Sequence, residues 1–104
     1  MVVLYSIEFT ETFKENLYNI FWNIFSEFGD IFVAEKIIND IMAKCHRLSL
    51  FPKAHIARFT TMKKEIRFVH SGRYTIIYSI NEKTHTVEMQ HVLHSRQNIL
   101  DLFN

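Results

Sequence analysis

Cysteine, glycine and proline are scarce in this chain. Its 104 residues include one cysteine (Cys45), two glycines and one proline. A single cysteine cannot form an internal disulfide, which is typical of proteins in the reducing cytoplasm. With so little glycine and no Ser-rich or repetitive tract, the sequence also excludes a flexible linker and a repeat array. We therefore expect one cytoplasmic globular domain over residues 1–104.

Long uncharged runs are also absent. None approaches the roughly 20 residues that a membrane-spanning helix requires. The opening residues Met1–Tyr5 carry no basic side chain, so neither a signal peptide nor a membrane partner is predicted. Aromatic residues, by contrast, make up 14% of the chain. Each removes roughly 150–250 Å² from water when buried, so they can build the core of a short domain.

The net charge of +1 conceals an uneven distribution. Residues 1–50 carry four Lys and Arg against seven Asp and Glu, and residues 51–104 carry eight against four. Five of the six histidines also lie in the second half. This pattern fits a surface that attracts a polyanion, and it equally fits acidic helices beside less acidic strands.

The first half of the chain predicts a strand and two helices. Val3–Phe9 alternates in part and is predicted as a strand. Thr10 is a suitable N-cap, with Glu11 in the first helical turn. The first helix is about 18 residues long, ends near Gly29 and has an apolar face formed by Phe13, Leu17, Ile20, Phe21, Ile24 and Phe28.

A second helix follows the turn at Gly29 and Asp30. Its apolar face consists of Ala34, Ile37, Ile38, Ile41, Cys45 and Leu48. Because the turn is short, the two helices are expected to form an antiparallel pair. Pro52 ends the second helix, and residues 52–62 show no clear period, which predicts a loop that a partner could order.

The last forty residues predict two hairpins. If residues 81–84 form the second loop, the apolar wall consists of the cross-strand pairs Ile80/His85, Tyr78/Val87, Ile76/Met89 and Tyr74/His91. The opposite wall then consists of Arg73, Thr75, Ile77, Ser79, Thr86, Glu88, Gln90 and Val92. His94 is two residues after Val92, so its side chain is expected on the same face. Arg73 and His94 are therefore expected to share a concave surface. In the first hairpin, a Ser71-Gly72 turn puts His70 opposite Arg73, and a bulged turn puts Arg67 there; both remain open.

Two segments of these hairpins resemble a known family. The order of elements, the segment Arg73-Tyr74-Thr75-Ile76-Ile77-Tyr78 and the closing run Val92-Leu93-His94-Ser95-Arg96-Gln97-Asn98 resemble the RelE/ParE toxins of bacterial type II toxin-antitoxin modules. The resemblance covers nearly the whole chain. It implies an α+β fold with an N-terminal strand, an antiparallel two-helix hairpin on a curved, mainly antiparallel sheet, and a short C-terminal helix. It also implies a cognate antitoxin partner, in a possible toxin-antitoxin heterotetramer.

The activity implied by the resemblance depends on the branch. RelE-like members cut mRNA at the ribosome, ParE-like members poison DNA gyrase, and a relic would bind an antitoxin without toxicity. We take mRNA cleavage as the first expectation. The chain departs from the nuclease pattern, because Thr75 stands where those members commonly have Arg, and Leu102 and Phe103 stand near where many have Tyr. The His94-Ser95-Arg96 segment is closer to the gyrase-directed branch.

RNA cleavage through the ribose 2′-hydroxyl requires a base, an acid and a group that stabilises the charge of the phosphorane. We expect His94 and Glu65 to carry protons. Arg73 and Arg96 are expected to bind the reacting phosphate, since a guanidinium matches its oxygens in a bidentate fork. The remaining RNA contacts are assigned to Lys63, Lys64 and Arg67.

Each candidate also has a structural interpretation. His94 could cap a helix, Arg96 could form an ion pair with the antitoxin or with Asp101, and Lys63 and Lys64 could simply be solvated. His91 is expected to be a packed core histidine. His91 and His94 are three residues apart, so on a strand their side chains point to opposite faces. We therefore expect no metal site, and we expect no cofactor.

An uncovered apolar surface is a further expectation. The first hairpin carries apolar residues on both faces, while two helices can cover only one of them. Alternatively, the exposed set lies on the helices themselves and consists of Trp22, Phe25 and Phe32.

Overall fold

A computed structural model describes residues 3–61 and 64–97 of the chain. Over these residues the elements are β1 Ser6–Phe9, α1 Glu11–Phe28, α2 Ile31–Arg47, β2 Ala57–Thr61, β3 Lys64–Ser71, β4 Tyr74–Asn81 and β5 Thr86–His94. The strands form one sheet in the order β1-β5-β4-β3-β2. Strand β1 is parallel to β5 and the other pairs are antiparallel. The expected α+β arrangement is confirmed; the short C-terminal helix and Lys63 lie outside the described residues.

Local signals fix both ends of α1 as predicted. The hydroxyl of Thr10 accepts a hydrogen bond from the backbone N–H of Phe13, and Gly29 ends the helix with a left-handed φ of 66°. That conformation costs little at glycine, which lacks a Cβ. Asp30 then caps α2, because its carboxylate accepts a hydrogen bond of 2.9 Å from the N–H of Phe32. Two caps in succession produce the antiparallel helix pair.

The core lies between this helix pair and one face of the sheet. It consists of Phe13, Ile20, Ile24, Ala34, Ile41, Cys45, Leu48, Val69, Ile76, Tyr78, Val87, Met89 and Val92. The two predicted helical stripes supply the first seven of these residues. Strand β1 begins at Ser6 rather than at Val3, because its first partner on β5 is Thr86.

The prediction of a loop over residues 52–62 is wrong for its second half. Ala57–Thr61 forms β2 at the edge of the sheet and, among the described residues, pairs only with β3. Its register shifts between Ala57 and Phe59. Such an irregularity breaks the two-residue period that identifies a strand in a sequence.

The predicted register of the second hairpin is also wrong. The loop consists of residues 82–85, because the side chain of Asn81 accepts hydrogen bonds from the N–H groups of Lys83 and Thr84 and so closes the turn. His85 completes the turn with a φ of 50°. Tyr78 therefore pairs with Met89 instead of Val87. This is a shift of two residues, which leaves Tyr78 on the expected face.

A bulge next to this pair reverses the faces beyond it. Tyr78 pairs with Met89, but Ile77 pairs with His91, so Gln90 is an extra residue on β5. As a result Val92 is buried in the core, and His91 lies on the sheet face opposite the helices, the reverse of the prediction. The bulge is held by α1, since the Thr10 hydroxyl lies within 3.0 and 3.1 Å of the carbonyl oxygens of Met89 and Gln90.

Neither proposed register of the first hairpin occurs. Ser71 pairs with Tyr74, so Gly72 and Arg73 form the two-residue turn. Gly72 adopts a φ of 58°, which suits the first central position of a type II′ turn. His70 and Arg67 consequently face Thr75 and Tyr78, and Arg73 belongs to the turn rather than to a strand.

Candidate functional site

A hollow of about 360 Å³ lies where the helix pair meets the turn between β3 and β4. It is lined by Glu27, Phe28, Val33, Ile37, Asp40, Ser71, Gly72, Arg73, Tyr74 and His94. Arg73 and His94 thus line one concavity, as the sequence predicted. The hollow is on the helix side of the sheet, whereas the predicted register put both residues on the opposite wall. The turn and the bulge account for the difference, because Arg73 lies in the turn outside β4 and the bulge changes the side-chain alternation of β5.

Arg73 is the free cation of the hollow. It is exposed, and its carbonyl accepts a hydrogen bond of 2.8 Å from the N–H of Ser95, which fixes the turn against the end of β5. Its guanidinium has no hydrogen bond or ion pair within the described part of the chain. A guanidinium held at the rim of a concavity can bind a carboxylate or a phosphate.

His94 is held in one orientation. Its ring lies edge-on to that of Tyr74, with 5.6 Å between the centroids. Its Nδ1 accepts a hydrogen bond of 3.1 Å from the backbone N–H of Arg96, and the backbone N–H of His94 donates to Oε1 of Gln97. Because Nδ1 is an acceptor, the neutral ring carries its proton on Nε2 and presents a donor. This turn-closing contact partly matches the structural interpretation of His94 as a capping residue.

Tyr74 and Glu27 complete the polar lining. Burial, and secondarily the carboxylate of Glu27, raise the pKa of the Tyr74 hydroxyl, which therefore remains a protonated donor. Asp40, on the α2 side, forms an ion pair of 3.3 Å with Lys36. The hollow can offer hydrogen bonds from Arg73, Tyr74 and His94 over an apolar floor. Glu27 was not among the predicted site residues, since nothing in the sequence separates it from the other helical carboxylates.

Glu65 and Arg67 lie far from the hollow. They precede Ser71 on β3 by six and four residues, or about 20 and 13 Å along the strand. Arg67 is 8% exposed, and its guanidinium donates to the carbonyl of His55 at 2.5 Å and to Glu65 at 2.7 Å. Its Nε has no acceptor among the described residues. The structure thus places Arg67 in an internal hydrogen-bond network with little of its side chain exposed.

The other predicted cations are dispersed. Lys64 forms an ion pair of 3.1 Å with Glu88 on the sheet. Arg96 is exposed in the turn after β5, and what it contributes to the hollow is the backbone N–H that orients His94. Lys63 and Asp101, the proposed partner of Arg96, lie outside the described residues.

The sheet face opposite the helices carries a polar network that the sequence did not reveal. The hydroxyl of Thr75 lies 3.0 Å from Nδ1 of His70 and 2.9 Å from the hydroxyl of Ser95. Thr75 is 1% exposed, so it joins β3, β4 and the turn after β5 from within the sheet. Arg73 does not share this face with Thr75 as the predicted register required, because it lies in the turn.

Membrane-spanning helices and clusters of metal ligands are both absent from the described residues. Neither helix is both long and apolar enough to cross a bilayer. No three His, Cys, Asp or Glu side chains among residues 3–61 and 64–97 converge as metal ligands would.

Comparison with protein families gives one match that spans most of the chain. The model of the ParE toxin of the type II toxin-antitoxin system, parDE, matches residues 7–99. No protein of curated function matches the sequence significantly.

Solved structures share the fold at low identity. The RelBE2 toxin-antitoxin complex from Mycobacterium tuberculosis matches with a TM-score of 0.67 and 19% identity, over 90% of this chain and 94% of that chain. The chromosomal ParDE system of P. aeruginosa matches at 0.72 and 14%, over 88% and 96%. The archaeal RelE–RelB complex from Pyrococcus horikoshii matches at 0.67 and 14%, over 93% and 99%. The RelE/ParE-like fold that the resemblance implied is therefore confirmed.

Proposed function

We propose that this chain, which belongs to the ParE toxin family of type II toxin-antitoxin systems, arrests growth by inhibiting DNA gyrase. Its partner in such a system is a cognate antitoxin that holds it inactive. The first expectation from the sequence was mRNA cleavage. The arrangement of the candidate groups favours the alternative, in which the toxin acts by binding a protein.

The main support for inhibition by binding is the separation of the groups that RNA cleavage would need together. Glu65 is about 20 Å along β3 from the turn that carries Arg73. Arg67 is buried and bonded to the carbonyl of His55. In the nuclease pattern an arginine occupies the position of Thr75, and here that side chain is enclosed between His70 and Ser95. Glu65 and Arg67, two of the groups assigned to RNA cleavage from the sequence, therefore do not meet Arg73 in this arrangement.

RNA cleavage is the second candidate, because one observation favours it. Arg73, Tyr74 and His94 line a single hollow, and all three can donate hydrogen bonds there. In that mechanism Arg73 would bind the phosphate and Nε2–H of His94 would protonate the leaving oxygen. Glu27 is the carboxylate in the hollow without an ion pair among the described residues, so it would be the base.

Induction of the chain alone, without its antitoxin, separates the two functions. Gyrase inhibition predicts the DNA-damage response and accumulation of cleaved gyrase–DNA complexes, with transcripts intact. Cleavage predicts new transcript ends within coding sequences, which disappear in Arg73→Ala and His94→Ala variants that still bind the antitoxin. Intact transcripts and intact DNA in an arrested culture would contradict both proposals.

A further inference from the structure

The loop between α2 and β2 combines basic charge with exposed apolar side chains. We call residues 48–56 the basic loop. It lies within a stretch, residues 41–64, that contains no Asp or Glu and carries the cations Lys44, Arg47, Lys53, Arg58, Lys63 and Lys64. Three carboxylates approach this stretch and the buried Arg67 beside it, and all three are engaged: Glu82 with Lys53 at 3.0 Å, Glu88 with Lys64 at 3.1 Å and Glu65 with Arg67 at 2.7 Å. Arg47 and Arg58 are exposed and have no carboxylate partner in the described ranges.

The backbone of the basic loop is held by groups that are costly to bury. Tyr78, fully buried, donates its hydroxyl to the carbonyl of Pro52 at 2.9 Å. Arg67, 8% exposed, donates to the carbonyl of His55. A buried hydroxyl and a buried guanidinium each need such partners, so these two contacts define the course of the loop.

Exposed apolar side chains flank these two anchored positions. Leu50, Phe51 and Ile56 are 49%, 64% and 75% exposed. The N-terminal segment adds Leu4, 65% exposed, because the N–H of Tyr5 donates to the carbonyl of Ser49 at 2.8 Å. Several large apolar side chains displayed by one anchored loop are typical of an interaction surface.

We propose that the basic loop docks an acidic segment of the cognate antitoxin, with Phe51 and Ile56 as its apolar anchors. This rests on the proposed function, since it requires the chain to be a toxin with an antitoxin. Charge complementarity identifies the chemistry of the segment: Arg47 and Arg58, exposed just before and just after the loop in sequence, attract carboxylates, and the exposed apolar side chains of the loop are covered on contact.

Two other occupants fit the loop less well. A nucleic acid would use the cations but would leave the aliphatic side chains of Leu4, Leu50 and Ile56 exposed. A second copy of this chain would place the loop against itself in a two-fold interface, which brings cation against cation. An acidic, apolar protein segment satisfies both the charge and the exposed surface.

Titration of the purified chain with the antitoxin encoded beside it tests this assignment. The variant Phe51→Ser/Ile56→Ser should weaken binding by at least about tenfold, because apolar anchors dominate such interfaces. The variant Arg47→Gln/Arg58→Gln should also weaken binding and make it less sensitive to salt. The matched control Tyr18→Ser/Phe32→Ser removes side chains that are 65% and 75% exposed on the helix pair, and it should change affinity less than twofold.

Three outcomes would overturn the assignment. Unchanged affinity in both loop variants removes the loop from the interface. Loss in the helix control alone moves the interface to the helix pair. A loop variant that still binds the antitoxin but no longer arrests growth, or that loses affinity for RNA, assigns the loop to another partner. The gyrase assay is independent: a chain that leaves gyrase active refutes the proposed target, while the titration still decides the role of the loop.

Discussion

At the scale of single residues, two arginines show how little a residue type says about its role. Arg67 and Arg73 were both expected to contact RNA. Arg67 faces Tyr78 across the sheet and is enclosed by the loop that follows α2, whereas Arg73 is exposed in a turn. The sequence could identify both as cations near one hairpin. It could not predict the turn register, which decides which of them is buried.

The internal role of Arg67 leads to a stability prediction. Arg67→Ala should lower the free energy of unfolding by about 2–3 kcal/mol, because it empties a packed site and leaves the carbonyl of His55 without its donor. Arg58→Ala, at an exposed position on β2, should change it by less than about 0.5 kcal/mol. Urea unfolding measures both. Equal effects would mean that Arg67 is no more structural than a surface cation.

Two histidines should make the fold sensitive to acid. Burial lowers the pKa of His55 and of His91 from the ordinary 6.5, with the charges of His70 and Lys44 adding to the effect at His55. Below pH 6.5 the unfolded chain therefore binds protons that the folded chain does not, so stability is full above that pH and falls as pH decreases. A His55→Gln/His91→Gln variant should lose less stability than the parent between pH 7.5 and 5. An unchanged slope would contradict this account.

At the scale of elements, the helices were predictable and the strand irregularities were not. Apolar stripes and caps are local signals, so the bounds of α1 follow from Thr10 and Gly29. The edge strand β2 and the bulge at Gln90 depend on partners distant in sequence. Thr10 contributes both to a predictable helix end and to an unpredictable bulge, because its hydroxyl caps α1 and also approaches the carbonyls of the bulge.

This double role of Thr10 predicts a larger loss than an ordinary cap gives. Thr10→Ala should reduce the free energy of unfolding by about 2 kcal/mol, the upper end of the range for N-caps. Thr12→Ala, two residues on at an exposed helical position, is the matched control and should be neutral or slightly stabilising. Thermal or urea unfolding compares them. Similar values for the two variants would show that the contacts of Thr10 with β5 contribute nothing.

At the scale of the whole molecule, the fold could be predicted from the order of the elements, and the candidate site only in part. The segments around Tyr74 and His94 indicated the family, and Arg73 and His94 do line one hollow. Its location on the helix side could not be predicted. The turn at Gly72 removes Arg73 from the strand, and the bulge at Gln90 moves the residues that follow it on β5 to the other face.

Since the family is established, the central claim of the proposed function is that the toxin acts on DNA gyrase. The separation of Glu65 and Arg67 from Arg73 is expected to prevent RNA cleavage and to leave a toxin that acts by binding. Gyrase inhibition would then persist in a reaction that contains no RNA or ribosomes.

A supercoiling reaction with purified gyrase, relaxed plasmid and the purified chain, run beside a translating-ribosome cleavage reaction, tests this most directly. We predict that the chain blocks supercoiling and traps cleaved plasmid, that added antitoxin reverses the block, and that ribosome-bound mRNA remains intact. Full gyrase activity together with cleaved mRNA would contradict the account.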